Sequence, residues 1–141
     1  MTSALAYTNG FIMALLGALH LYWATGGQWA IAQAVPSDEN GNPVLRTSVA
    51  ACLVVGAGLL LFSAYYWSKG SGDASQWPLG LDAWGIWALT AIFTARAIGD
   101  FRYVGFFKTM KNTVFGQMDT RWYAPLCFYL GISSAWIGLY T

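Results

Sequence analysis

Four apolar runs, at about residues 5–25, 47–67, 79–98 and 122–140, dominate this chain and leave little room for anything else. Each is close to the twenty or so residues that a helix needs to cross the hydrocarbon core of a bilayer. With 57% of its 141 residues hydrophobic and only 9% charged, the chain has too few solvating side chains to cover a water-soluble globule. The expected fold class is an all-α membrane protein, a single domain over residues 1–141 with four transmembrane helices in a bundle. A net charge of +1 gives no general attraction to nucleic acid, which is not expected as a partner. The first run lacks a positively charged leader and reads as a retained span rather than a signal peptide.

The runs carry small residues at helical spacing: Gly10, Ala14, Gly17 and Ala18 in the first, Gly56 and Gly58 in the second, Gly131, Ala135 and Gly138 in the fourth. Such positions let neighbouring backbones approach where lipid offers little hydrophobic drive for association. Gly26 and Gly27 predict the end of the first helix, and Tyr22 and Trp23 fall where amphipathic rings collect at the headgroups. Residues 28–34 suit a short interfacial helix ended by Pro36, followed by a solvated turn-rich loop over 37–43. Asp82 opens the third helix, where a carboxylate complements the helix dipole. Pro125 is expected in the first turns of the fourth, where a missing backbone donor is cheapest. Between spans three and four, Tyr103, Phe107, Met110, Val114 and Met118 repeat at helical steps while Lys108 and Asn112 point the other way. That pattern predicts an interfacial amphipathic helix over residues 103–118, its lysines meeting anionic headgroups.

The polar focus lies at the end of the third run, where Arg96 is followed one helical turn later by Asp100. An ionisable group inside a span costs roughly 2.5 to 3.5 kcal/mol, so Arg96 needs a partner, a wet pocket or a route to the headgroups. Asp100 is the nearest candidate partner, and the pair reads equally as a structural ion pair or an anion-binding device. His20, in the first run, has no second histidine at i+3 or i+4, so interhelical hydrogen bonding is the default over a metal or haem site, and no metal or cofactor is expected. Cys52 and Cys127 each stand alone in an apolar run and read as inert core thiols rather than a redox couple. No serine-hydrolase motif is present.

Two stretches, His20-Leu21-Tyr22-Trp23-Ala24-Thr25-Gly26-Gly27 and Gly99-Asp100-Phe101-Arg102-Tyr103-Val104-Gly105-Phe106-Phe107-Lys108, are followed by Asp119-Thr120-Arg121 and Tyr123-Ala124-Pro125-Leu126-Cys127. Together they resemble a family of small bacterial membrane proteins, the domain-of-unknown-function family numbered 3995. The resemblance covers nearly the whole chain and implies four spans in a bacterial inner membrane. It brings no catalytic residues, because the family has no assigned activity.

Two function classes follow. In the first, a cytoplasm-facing intramembrane pocket binds a membrane lipid or amphipathic anionic small molecule, with or without catalysis; His20, Tyr22, Arg96, Asp100 and Arg102 are its candidate ligand-binding residues. In the second, the chain is a subunit of a homo-oligomeric transporter or a membrane assembly factor. Counting inward from the span ends places His20, Arg96, Cys52 and Cys127 in one layer roughly 7 to 9 Å beneath the cytoplasmic boundary. Lysine and arginine counts put the first and third loops in the cytoplasm, with Arg46, Arg102, Lys108, Lys111 and Arg121, and both termini in the periplasm.

Overall fold

The computed structural model describes residues 1–45, 47–73 and 77–141, so Arg46 of the orientation count lies outside the described residues. Its regular structure is helical: α1 (Thr2–Ala24), α2 (Ile31–Ala34), α3 (Val49–Ser71), α4 (Leu81–Ile98), α5 (Val114–Met118) and α6 (Ala124–Tyr140). A π-turn over Asp119–Tyr123 joins α5 to α6. Two of these helices, α1 and α3, are long and apolar enough to cross a membrane by length and composition. The chain forms two compact units, residues 1–27, 48–89 and 133–141 in one and residues 28–47 and 90–132 in the other, with α4 and α6 contributing a segment to each.

In the first unit, α1 and α3 meet antiparallel through glycines. Gly10 faces Ser63 and Trp67, whereas Gly17 faces Gly56 and Leu60; a Cβ on Gly10 would come 2.7 Å from the Trp67 ring, and one on Gly17 2.9 Å from Leu60. Gly58 has open space around it instead of the close packing expected for it. The reason is geometric, since residues two apart on a helix do not share a face and Gly56 already occupies the seam. Polar side chains add hydrogen bonds that do not depend on excluding water. The Ser63 hydroxyl donates to the Gly10 carbonyl at 2.7 Å, the buried Asn9 amide donates to Ser133 Oγ at 2.8 Å, and the Tyr66 and Ser134 hydroxyls lie 2.6 Å apart. The opposite faces of these helices expose Phe11, Leu15, Val54 and Leu61. Contiguous apolar surface of this kind is rare on a soluble monomer.

In the second unit, α2 stands where the short helix before Pro36 is expected. The amphipathic helix over 103–118 does not form; only α5, at its end, is helical, and residues 99–113 fold as a loop. Gly99 (φ 90°) and Gly105 (φ 87°) both take left-handed backbone and touch each other: a Cβ on Gly99 would fall 1.8 Å from the Val104 carbonyl oxygen. Only glycine fits such a crossing. The Asp100 carboxylate inside the loop accepts the backbone N–H groups of Arg102, Tyr103 and Val104 at 2.9, 2.7 and 2.9 Å, offering these donors an alternative to a helical ladder. Thr113 then caps α5, its hydroxyl accepting the Gly116 N–H at 3.0 Å. Helix therefore resumes well before Pro125, and the wider π-turn falls just ahead of the proline, where a backbone donor is withdrawn.

Candidate functional site

The polar focus is built on Asp119, the first residue of the π-turn, whose side chain is 0% exposed. Its Oδ1 accepts from Arg96 Nη2 at 2.8 Å; its Oδ2 accepts from Lys108 Nζ at 2.9 Å and from the Gly105 backbone N–H at 2.8 Å. Lys108, only 2% exposed, also donates to the Gly105 carbonyl at 2.9 Å. The loop is thus a carrier. It leaves α4 at Gly99, turns around Asp100, and returns so that the Phe106 N–H bonds the Ala97 carbonyl at 2.8 Å, which places Gly105 and Lys108 over Asp119.

Two expectations are corrected here. The carboxylate paired with Arg96 is Asp119, not Asp100, because the latter's Oδ1 is turned inward onto three backbone donors. Those donors outweigh burial, which acts in the opposite sense, and hold the Asp100 carboxyl below the usual range. Lys108 does not face headgroups but is buried on Asp119. No spacing rule marks Asp119 as the partner of a residue 23 positions earlier. The one available signal is charge: a cation near the end of the third apolar run and a carboxylate three residues ahead of the fourth each need a partner.

The cluster has an electrostatic remainder. One carboxylate faces two cations, and the Arg96 side chain stays 33% exposed while its Nη1 is buried without a hydrogen-bond partner among the described residues. An unsatisfied buried donor costs on the order of 1–3 kcal/mol, more when charged. An anionic oxygen presented to Nη1 would satisfy both the donor and the charge. Cys127 lies within electrostatic reach of Arg96 and Asp119.

The other candidates stand as follows. Arg102 belongs to the same unit, exposed, with its guanidinium 5.1 Å from the Tyr103 ring centroid. His20 and Tyr22 belong to the first unit. The His20 Nδ1 is 2.8 Å from the Leu16 carbonyl and therefore donates to it, and its ring meets Trp23 edge-on at 4.9 Å. Tyr22 covers Gly27, and its carbonyl accepts the Thr25 hydroxyl at 2.8 Å, sealing the end of α1. The second unit also holds a cleft of about 570 Å³ between the first loop, with Asp38 and Glu39, and the segment from Thr109 to Val114. Asp38 shapes its own wall by accepting the Asn42 and Asn40 N–H groups at 2.8 and 2.9 Å.

An all-helical chain with two membrane-compatible helices and an Arg–Asp–Lys cluster on a buried carboxylate, beside a glycine-pinned loop, defines a small helical protein with the features of a membrane protein. Its family model, described as "Protein of unknown function (DUF3995)", matches residues 13–134, and the chain belongs to that family. No curated protein and no solved structure matches it.

Proposed function

We propose that this chain is an integral protein of the bacterial inner membrane, with α1, α3, α4 and α6 as four spans, and that its cytoplasm-facing polar site binds the anionic head of a lipid or other amphiphile at Arg96. The observation that carries this reading is the imbalance at Asp119: two cations on one carboxylate, with Nη1 of Arg96 buried and unsatisfied. In this reading Asp119 orients the guanidinium by binding Nη2, so that the remaining nitrogen is held ready without loss of side-chain freedom on binding. Lys108 holds Asp119 in place through Oδ2 rather than meeting the ligand itself.

The test is native mass spectrometry of the protein in nanodiscs or mild detergent, with phosphatidylglycerol, phosphatidylcholine and a free fatty acid as probes. The expected result is a monomer retaining an anionic amphiphile in preference to phosphatidylcholine. Retention should fall by about tenfold or more in Arg96→Gln, the size of a lost charge-assisted hydrogen bond. Unchanged retention in that variant would reject the site. A defined oligomer that carries no lipid would favour the transporter or assembly-factor reading.

A further inference from the structure

The loop that carries Gly105 and Lys108 has an outer face that the Asp119 cluster does not use. Phe101 and Phe107 stand there 61% and 65% exposed, their ring centroids 6.4 Å apart. Phe101 has φ 63°, a left-handed conformation that bulky residues rarely adopt and that persists only when its surroundings impose it. They do so here. On one side the Asp100 carboxylate fixes the next three backbone N–H groups, and on the other the Thr109 N–H bonds the Phe101 carbonyl at 3.2 Å and the Met110 N–H bonds that of Arg102 at 2.9 Å. The fold thus holds two aromatic rings outward on a rigid support, where water gives them no return.

Charge identifies what covers them. Arg102 and Lys111 are exposed at the two paired segments, while the one carboxylate of the loop, Asp100, is directed into backbone donors. Lys111 also lines the cleft that holds Asp38 and Glu39, which offset its charge, so the cation that marks the apolar tip is Arg102. Rings that bury just beneath headgroups, flanked by cations that stay among the phosphates, are the pattern of an interfacial anchor. We infer that Phe101 and Phe107 form a preformed wedge that inserts into the headgroup region of an anionic lipid bilayer, with Arg102 on the lipid phosphates. The contact is with bulk lipid and does not depend on a ligand at Arg96.

Hydroxyl-radical footprinting of the unmodified chain in nanodiscs tests it without substitutions. In phosphatidylcholine discs containing phosphatidylglycerol, Phe101 and Phe107 should be oxidised several-fold more slowly than free phenylalanine amide in the same solution, and pure phosphatidylcholine should give weaker protection. Each interfacial cation contributes about 1 kcal/mol, so Arg102→Gln should reduce the phosphatidylglycerol-dependent part of that protection by up to about fivefold. A fluorophore at position 107 in a Cys52→Ala, Cys127→Ala background gives a second measurement, through quenching by lipid-borne nitroxide rather than aqueous iodide. Oxidation of both phenylalanines at the rate of free phenylalanine amide in either lipid would overturn the inference, as would protection that ignores lipid charge. Retention of an amphiphile at Arg96 is read separately, so failure of one proposal leaves the other standing.

Discussion

At the scale of single residues, the arrangement turns on which carboxylate serves Arg96. Breaking a buried ion pair from one side is expensive, because the remaining charge stays desolvated. Asp119→Asn should therefore lower stability by about 3–5 kcal/mol, as read from denaturant unfolding in detergent micelles. A double-mutant cycle separates this from a general loss of packing: Arg96→Gln and Asp119→Asn should couple strongly, whereas Arg96→Gln and Asp100→Asn should be additive. Additivity in the first cycle would remove Asp119 from the role given to it. The need of Arg96 for a partner was legible in the sequence, since an arginine near the end of an apolar run can hardly be left alone. The identity of that partner was not, because helical spacing reports neighbours on one element and Asp119 reaches Arg96 through tertiary folding. Lys108 was misread for a related reason: a lysine opposite an apolar stripe looks solvated until a buried carboxylate is known to face it.

At the scale of elements, the helices were readable and the third loop was not. The Gly26 and Gly27 pair marks the end of α1, α3 runs one turn past the end expected near residue 67, and the seam between them uses Gly10, Gly17 and Gly56 but not Gly58. The segment over 99–113 has helical periodicity too, but Gly99 and Gly105 supply left-handed backbone and Asp100 captures three N–H groups, so local side-chain-to-backbone bonds defeat the period. This makes the loop sensitive to acid. The folded carboxyl of Asp100 lies below its ordinary value, so its contribution is complete above the usual carboxylate range and is lost as pH falls through the lowered folded value. Amide exchange or NMR shifts at Arg102, Tyr103 and Val104 should stay constant down to about pH 4 and report release of the three bonds below that. Release already complete near pH 6, or no release in strong acid, would contradict the assignment of the loop to Asp100.

At the scale of the whole molecule, the question is which loops share a side of the membrane. The first loop and the segment from Thr109 to Val114 line one cleft, and the Tyr123 hydroxyl donates to the Gln33 carbonyl at 3.3 Å, so the chain between them, α3 and α4, departs and returns. At about 1.5 Å per residue, the 23 residues of α3 reach roughly 35 Å, enough for a bilayer core. In the proposed topology α3 and α4 make two crossings between those loops and α1 and α6 make two more, which would put both termini on one side. Cations then set the sign. Lys108 is buried on Asp119, whereas Arg102, Lys111 and Arg121 are exposed. At the opposite end of α3 stands Lys69, whose ammonium is engaged by the Asp82 carbonyl at 2.5 Å. Under the proposed topology, this excess of exposed positive charge would direct the loop side to the cytoplasm. Alkaline phosphatase fused after Thr141 should therefore be active, and a fluorescent protein that matures only in the cytoplasm should stay dark at the same position. Reversing both signals would place the Asp119 cluster on the periplasmic side and would remove the cytoplasmic leaflet as the source of the anion proposed for Arg96.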